Sequence, residues 1–140
     1  MHYILDSSVI VKWFNKKIED DVEKALKLMD LYRDNKIELT IPDLAVYEVS
    51  NALRYNKNFH DSEVKEIISI LLDMDFNIIS ANSEVISLAI EIAYEDNITV
   101  YDSIFLSLSS SMMIPLISAN PKHHKLLKQR NIILLKDVKV

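Results

Sequence analysis

The chain has 140 residues, of which 49% are hydrophobic and 26% charged, and its formal net charge is −5. These values predict one globular domain over 1–140 and exclude a disordered chain, and the negative charge gives no sign of a basic nucleic-acid-binding surface. The absence of cysteine excludes disulfides and thiolate metal sites; the absence of glycine, where average usage gives about ten, excludes the glycine-rich loops that bind nucleotide phosphates.

No segment of the sequence predicts export or membrane insertion. The chain enters an apolar strand at once, with no basic segment before it, so we expect no signal peptide and a cytoplasmic location. Residues 103–121 carry no formal charge and are nominally long enough to span a bilayer. However, serines dilute this stretch and Pro115 divides it, so we predict a buried helix followed by a buried strand.

Strand-like runs and helical repeats alternate along the chain. Residues 4–5 and 115–117 are apolar at consecutive positions, as expected of strands buried on both faces of a parallel sheet. An apolar repeat typical of one helix face begins at Val22. In chain order we predict a strand at 2–6, a short helix ending at Phe14, a helix at 20–34, a strand at 37–41, a helix at 43–55, a helix beginning at Asp61, a strand at 76–80, a helix beginning near Asn82, an extended segment at 98–100, a helix beginning at Asp102, a strand at 115–119, a helix at 121–130 and a strand at 132–135.

This order of elements predicts a three-layer α/β/α fold around a central parallel sheet of about five strands. Asparagine stands where glycine would usually end a helix, because it is the next-best residue for the left-handed conformation at that position. Asn35, Asn77, Asn97 and Asn131 are each followed by an isoleucine within two residues. We therefore expect all four asparagines to end helices.

Three acidic residues stand where a strand leads into a helix, or one turn beyond. Asp6 ends the first strand, Glu48 interrupts an apolar helix opening, and Asp102 begins a later helix. The carboxyl ends of parallel strands face one crevice, where three carboxylates would repel one another unless a divalent cation neutralised them. The sequence therefore predicts a metal site. Taken singly, Asp6 could be a polar strand end, Glu48 a solvated helix residue, and Asp102 a helix cap.

The same residues, in their order and spacing, resemble a known family. The relevant motifs are Asp6-Ser7-Ser8, Glu48 with Asn51, Tyr101-Asp102, and Ser118-Ala119-Asn120. They are similar to those of the PIN-domain ribonucleases, and most similar to the VapC-type toxins of prokaryotic toxin–antitoxin pairs. The resemblance covers essentially the whole chain. It implies a PIN-like fold, an endoribonuclease dependent on Mg²⁺ or Mn²⁺, an RNA substrate, an antitoxin partner and a homodimer.

The resemblance also implies roles for single residues. Asp6, Glu48 and Asp102 match the family's three metal-binding acids. A fourth acid often follows in a Thr-x-Asp phrase, where this chain has Asn120. An amide can offer a carbonyl oxygen or hold a water, but it withholds one negative charge and leaves the number of metal ions open. Ser118 matches the threonine of that phrase and is expected to support the site.

Polar residues next to these acids each have two possible roles. Ser7 and Ser8 either bond Asp6 or cap the following helix, and capping suits Ser8 better. Asn51, one turn after Glu48, either orients that acid or faces solvent.

A basic stretch near the end of the chain is the main candidate for contacts to phosphate. It contains Lys122, Lys125, Lys128 and Arg130 and adjoins His123 and His124. The alternative is a solvated basic helix face. Lys122, His123 and His124 lie closer to the predicted crevice, and Lys12, Arg54 and Lys57 are further candidates.

Two other classes of protein compete with a nuclease. An inactive PIN-like domain that binds protein or RNA would explain the amide at Asn120. A phospho-acceptor signalling domain would need adjacent acids after the first strand, and this chain has Ser7 and Ser8 there. The sequence therefore favours the nuclease and disfavours the signalling domain.

Overall fold

A computed structural model describes residues 1–14 and 21–140. Strands and helices alternate along the chain, because apolar runs buried on both faces are separated by amphipathic segments. In chain order the elements are β1 (His2–Leu5), α1 (Ser7–Trp13), α2 (Val22–Arg33), β2 (Glu38–Pro42), α3 (Asp43–Arg54), α4 (Asp61–Asp73), β3 (Asn77–Ile79), α5 (Ser83–Asp96), α6 (Val100–Met112), β4 (Leu116–Ser118), a 3₁₀ helix (Pro121–Leu126), β5 (Ile132–Leu134) and a second 3₁₀ helix (Leu135–Asp137).

The strands form one five-stranded parallel sheet in the order β3-β2-β1-β4-β5. The chain steps outward from β1 to β2 and β3, and then crosses back to β4 and β5 on the other side of β1. Right-handed crossovers therefore place α1 to α4 on one face and α5 and α6 on the other. The packing agrees, since α1 contacts α2 and α3 whereas α5 packs along α6. The predicted three-layer α/β/α fold with a parallel sheet is confirmed.

The core lies on both sides of the central strands. Ile4 and Leu5 of β1 are fully buried, as are Leu116 and Ile117 of β4, so consecutive residues are covered by opposite helix layers. The Trp13 indole N–H donates to the buried carbonyl of Ala25 at 2.7 Å and fastens the end of α1 to α2. This fixes α1, whose first residues build the site described below.

Helix ends follow the asparagine prediction in part. Asn35 and Asn97 adopt left-handed backbone, as predicted. The prediction is wrong for Asn77, which is the first residue of β3, while Asp75 takes the left-handed position before it. It is also wrong for Asn131, because turns after a 3₁₀ helix precede it and no α-helix ends there. The described residues with left-handed backbone are Asp21, Asn35, Asp75, Asn97 and Met113.

Two boundaries differ from the prediction in ways that affect the site. The segment predicted as extended at 98–100 instead leads straight into α6, because the Thr99 hydroxyl accepts the Asp102 N–H at 3.1 Å and starts the helix earlier. The helix predicted at 121–130 is a 3₁₀ helix ending at Leu126, followed by turns. The predicted start of the second helix at residue 20 lies outside the described residues.

The apolar stretch at 103–121 is a buried helix and strand, as predicted. Across the parts of the chain that the structure describes, no helix combines the length and the apolar character needed to cross a bilayer.

Candidate active site

The three predicted acids line one pocket at the carboxyl end of the sheet. Its volume is about 420 Å³, and Asp6, Glu48, Asp102 and Asn120 all border it. Asp6 follows β1 directly, Glu48 lies on the helix that follows β2, and Asp102 lies in the first turn of α6. β2 lies beside β1, so the residues that follow these two strands share one edge of the sheet. α6 leads into β4, so its first turn lies at that edge as well. The fold thus brings together the acids that the sequence singled out.

Asp6 is buried and held through one carboxylate oxygen. It caps α1, because its Oδ2 accepts the Ser8 N–H at 3.2 Å. The Ser8 hydroxyl donates to the same oxygen, and the Ser118 hydroxyl reaches it at 3.4 Å. The helix cap is therefore Asp6 rather than Ser8, and Ser8 instead bonds the acid. In the described parts of the chain no hydrogen bond reaches Oδ1, which stays available.

Glu48 is half-buried and held from across the fold. Ser7 Oγ donates to Glu48 Oε1 at 2.8 Å, so Ser7 supports Glu48 and not Asp6. The orienting role considered for Asn51 is not supported. Its side chain is exposed, no hydrogen bond joins it to Glu48 among the described residues, and Ala52 borders the pocket in its place.

Burial and mutual repulsion raise the pKa values of two acids. The pKa of Asp6 lies above its ordinary value because the side chain is removed from water, and the Asp102 charge adds to this. Hydrogen bonds from Ser8 and the electrostatic effect of the nearby His123 ring act in the opposite direction. The pKa of Glu48 is raised mainly by burial and further by the charges of Asp6 and Asp102, against the Ser7 hydrogen bond. These carboxylates therefore interact electrostatically across the pocket.

Asp102 is half-buried in the first turn of α6, and it is not the cap of that helix. Thr99 caps α6 by accepting the Asp102 backbone N–H, so the Asp102 carboxylate is not engaged in capping. Thr99 was not predicted from the sequence, although a threonine three residues before an acid is a recognisable helix-start pattern.

Asn120 sits beside the acids and also begins the 3₁₀ helix. Its Oδ1 accepts the Lys122 N–H at 3.0 Å, and its own N–H donates to Ser118 Oγ at 3.0 Å. It borders the acid pocket, so an amide stands next to the three carboxylates.

His123 is buried against Ser118 rather than exposed at the surface. Its side chain is 1% exposed, and Nδ1 is 2.7 Å from the fully buried Ser118 Oγ. The predicted contact to phosphate is wrong for His123, because a buried ring cannot reach a substrate on the surface. In a 3₁₀ helix the side chains at i and i+3 lie on one side, so His123 and Leu126 are both buried while His124 is exposed.

Three of the predicted cations lie at different distances from the site. Lys12 is half-buried and borders the acid pocket. Lys122 is exposed, two residues after Asn120, and does not border the pocket. Arg54 is exposed, lies over the Tyr55 ring at 5.1 Å, and borders a separate pocket with Phe59. The structure therefore brings Lys12 to the acids and leaves Arg54 apart from them.

The donor set of the pocket suits a hard divalent cation. It offers carboxylate and amide oxygens, which Mg²⁺ and Mn²⁺ prefer. Burial and neighbouring carboxylates raise the pKa values of Asp6 and Glu48, and a bound cation would favour the ionised forms again. In the parts of the chain described here, no three acidic or histidine side chains stand close enough together to share one ion. Mg²⁺ commonly uses one or two carboxylates and keeps several waters. The residues fit an ion held in that manner.

Comparison with known proteins identifies the family of the chain. A family model described as the PIN domain matches residues 3–128. Among curated proteins none matches the sequence. The fold is similar to a toxin–antitoxin complex from Klebsiella pneumoniae, with a TM-score of 0.73 at 13% identity, covering 97% of this chain and 99% of that one.

Two further solved structures are similar over nearly their full length. VapBC2 from Rickettsia felis, bound to a DNA fragment from its promoter, has a TM-score of 0.66 at 19% identity and covers 96% of this chain and 97% of its own. VapBC-1 from nontypeable Haemophilus influenzae has a TM-score of 0.64 at 14% identity, covering 96% and 98%. Identities this low show the fold alone. Because the PIN domain model spans most of the sequence and the fold agrees with it, the chain belongs to the PIN domain family.

Proposed function

We propose that the protein is an endoribonuclease that depends on Mg²⁺ or Mn²⁺ and acts as the toxin of a toxin–antitoxin pair. The supporting observation is the pocket that Asp6, Glu48 and Asp102 all border, with the pKa values of Asp6 and Glu48 raised by burial and by neighbouring carboxylates. A folded protein that keeps such a repulsive cluster gains from a bound cation. The PIN family, whose model matches the chain, provides the nuclease context.

Different side chains would bind the ion and the phosphodiester. Asp6 presents its Oδ1, since its hydrogen bonds fall on Oδ2, and Ser7 holds Glu48. When bound, a divalent cation supplies positive charge for the phosphate and a water acidic enough to act as nucleophile at neutral pH. No side-chain nucleophile is then required. Lys12 borders the same pocket and would contact a phosphate oxygen of RNA.

The proposal also includes an antitoxin partner and a homodimer. Because the proposed substrate is RNA, we propose that the protein acts in the cytoplasm. The similar structure from Klebsiella pneumoniae is a toxin–antitoxin complex, which supports a partner of that kind. Apolar side chains near the junction of α5 and α6 are exposed, including Tyr94 at 87% and Tyr101 at 64%, and they offer a surface for a second copy. Light scattering at two protein concentrations measures the oligomeric state.

One observation favours a different function, a PIN-like domain that binds RNA or protein without efficient cleavage. Asn120 withholds a charge from the pocket, and in the described residues three acids are not already gathered around one point. Such a domain would retain RNA binding through Lys12 and lose the chemistry. The two functions differ in whether added Mn²⁺ produces cleavage.

The experiment is an RNA cleavage assay with purified protein, in Mn²⁺, in Mg²⁺ and in excess chelator. We expect cleavage that chelator removes and that Asp6→Asn, Glu48→Gln or Asp102→Asn abolishes. Asp73→Asn is the matched control, because Asp73 is exposed at the end of α4 and lies outside the pocket. RNA binding without cleavage under all conditions would support the binding domain, and undiminished cleavage in chelator would exclude the proposed chemistry.

A further inference from the structure

His123 is a buried imidazole with one partner. Its Nδ1 lies 2.7 Å from Ser118 Oγ, while Nε2 is buried and has no hydrogen-bond partner among the described residues. A histidine buried this completely usually satisfies both ring nitrogens. His123 departs from this rule, since only its Nδ1 has a partner among the described residues.

The hydroxyl of Ser118 determines which way the hydrogen bonds run. A serine hydroxyl has one hydrogen to donate and two lone pairs to accept with. One lone pair takes the Asn120 N–H at 3.0 Å. The ionised carboxylate of Asp6 can only accept, so the 3.4 Å contact between its Oδ2 and Ser118 Oγ requires the serine hydrogen. The remaining lone pair of Ser118 must then take a hydrogen from His123 Nδ1.

Placing the hydrogen on Nε2 instead of Nδ1 is less favourable at both ring nitrogens. If the hydrogen sat only on Nε2, Nδ1 would take the hydroxyl hydrogen of Ser118, and Asp6 would lose that donor. The Nε2–H would also be a buried donor with no partner, which folded proteins rarely tolerate. A hydrogen on Nδ1 satisfies every contact of Ser118.

We propose that His123 is a positioning residue for the metal-binding acid Asp6, acting through Ser118. The His123 Nδ1–H turns the only hydroxyl hydrogen of Ser118 onto Asp6 Oδ2. With Ser8 on the same oxygen, the carboxylate is fixed with Oδ1 toward the pocket. Groups behind a metal ligand commonly set its orientation and affinity in this way. This inference rests on the proposed function and deepens it.

The first test reads the ring directly and needs neither metal nor activity. Nitrogen NMR of ¹⁵N-histidine-labelled protein without metal distinguishes a hydrogen on Nδ1 from one on Nε2. We expect His123 to carry its hydrogen on Nδ1, while His124, which is exposed, serves as the internal reference. A hydrogen found only on Nε2 of His123 would overturn the proposed order of hydrogen bonds.

The second test measures Mn²⁺ affinity by calorimetry in His123→Phe, Ser118→Ala and the double variant. Each single change should weaken binding about tenfold, the lower end of the range for groups behind a metal ligand. The double variant should bind no more weakly than Ser118→Ala, because His123 acts only through that hydroxyl. His123→Asn, which keeps an N–H donor close to the backbone, should recover part of the loss.

Controls separate this inference from the proposed function. His124→Phe makes the same change on the exposed neighbour and should leave Mn²⁺ affinity unchanged. His123→Asn provides the comparison if His123→Phe does not fold. Unchanged affinity in both His123 variants, or losses that add in the double variant, would overturn the positioning role while leaving the nuclease intact. A wild-type protein that binds no Mn²⁺ would instead overturn the proposed function, and the NMR result would still decide the hydrogen-bond order.

Discussion

Ser7 Oγ donates a hydrogen bond to Glu48 Oε1 at 2.8 Å, although the two residues are 41 positions apart. The bond joins the start of α1 to α3, across the edge where Asp6 is buried. It partly offsets the repulsion that the charges of Asp6 and Asp102 exert on Glu48. Ser7 therefore holds a carboxylate at a place that its neighbours disfavour.

Replacing Ser7 with alanine should impair the proposed chemistry more than the fold. Ser7→Ala removes the donor to Glu48 without adding bulk, so we expect RNA cleavage to fall at least about tenfold, as for other groups behind a metal ligand. The comparison is Ser62→Ala, an exposed serine in α4 away from the pocket. Cleavage rates and urea denaturation of both variants check the expectation, and equal rates in Ser7→Ala and wild type would contradict it.

The raised pKa values of Asp6 and Glu48 predict how stability depends on pH without metal. Between the unfolded pKa values, near 3.8 and 4.5, and the higher folded values, the folded state binds more protons than the unfolded state. The contribution of these acids to the free energy of unfolding therefore falls as pH rises through that window. Asp6→Asn and Glu48→Gln abolish the titration, so the stability of each variant relative to wild type should increase with pH and then level off. Urea denaturation in chelator across a pH series measures this, and a difference that shrinks with rising pH would refute it.

The sequence predicts correctly that Asp6 and Glu48 lie at one edge of the sheet, because that position depends on topology. Residues at the carboxyl ends of parallel strands must share an edge, and Asp6 and Glu48 do. Asp102 borders the same pocket, although the extended segment expected before it is instead the start of α6. The direction in which a helix side chain points is harder to predict from the sequence. Arg54 and Asn51 follow Glu48 on α3, but they point away from the pocket, since helix rotation depends on packing that the sequence does not reveal.

The contacts behind the acids were the least predictable part of the site. The segment after β4 was expected to be a long helix, and it is a 3₁₀ helix followed by turns. That difference of winding turns His123 inward toward Ser118 and leaves Lys122 exposed. Short polar residues capping a helix compete closely in free energy, so sequence alone could not decide between Ser8 and Asp6 as the cap of α1.

Arg130 is predicted to stabilise the fold rather than to bind RNA. Its guanidinium holds Asp96 through two bonds of 2.8 and 3.0 Å, and the Asp96 side chain is only 4% exposed. Arg130→Met would leave a buried carboxylate unpaired and should lower the free energy of unfolding by about 3 kcal/mol. Glu95→Gln is the control, because Glu95 pairs with the same arginine but is 66% exposed and should change stability by less than about 1 kcal/mol. Urea denaturation that showed equal effects for the two variants would contradict the assignment.

Met113 offers a stabilising substitution in a chain without glycine. It adopts left-handed backbone after α6, with φ 56°, and its side chain is 85% exposed. A non-glycine residue in that conformation is disfavoured by about 1 kcal/mol, so Met113→Gly should raise the free energy of unfolding by a similar or slightly smaller amount. Met112→Gly, inside the end of α6, should lower it instead. Thermal denaturation checks both signs, and destabilisation by Met113→Gly would contradict the backbone argument.

Asn120→Asp tests whether the amide limits the metal site. The change keeps the size of the side chain and an oxygen that can accept the Lys122 N–H, so the start of the 3₁₀ helix should persist. It adds a fourth carboxylate to the pocket bordered by Asp6, Glu48 and Asp102. Without metal the added repulsion should lower the melting temperature relative to wild type.

With metal, the sign of this effect should reverse. A unit charge about 4 Å away in a partly solvated site is worth about 4 kcal/mol, and twice that against a divalent ion, before desolvation is subtracted. We expect the net gain to be about tenfold in Mn²⁺ affinity by calorimetry, with equal or faster RNA cleavage. Stabilisation by millimolar Mn²⁺ should grow accordingly, because binding to the native state adds RT ln(1 + [L]/Kd) to the free energy of unfolding. Asn131→Asp, an exposed asparagine outside the pocket, is the control and should change neither quantity. If Asn120→Asp bound Mn²⁺ no better than wild type, Asn120 would act only as a helix cap, and the low charge of the pocket would not limit the site.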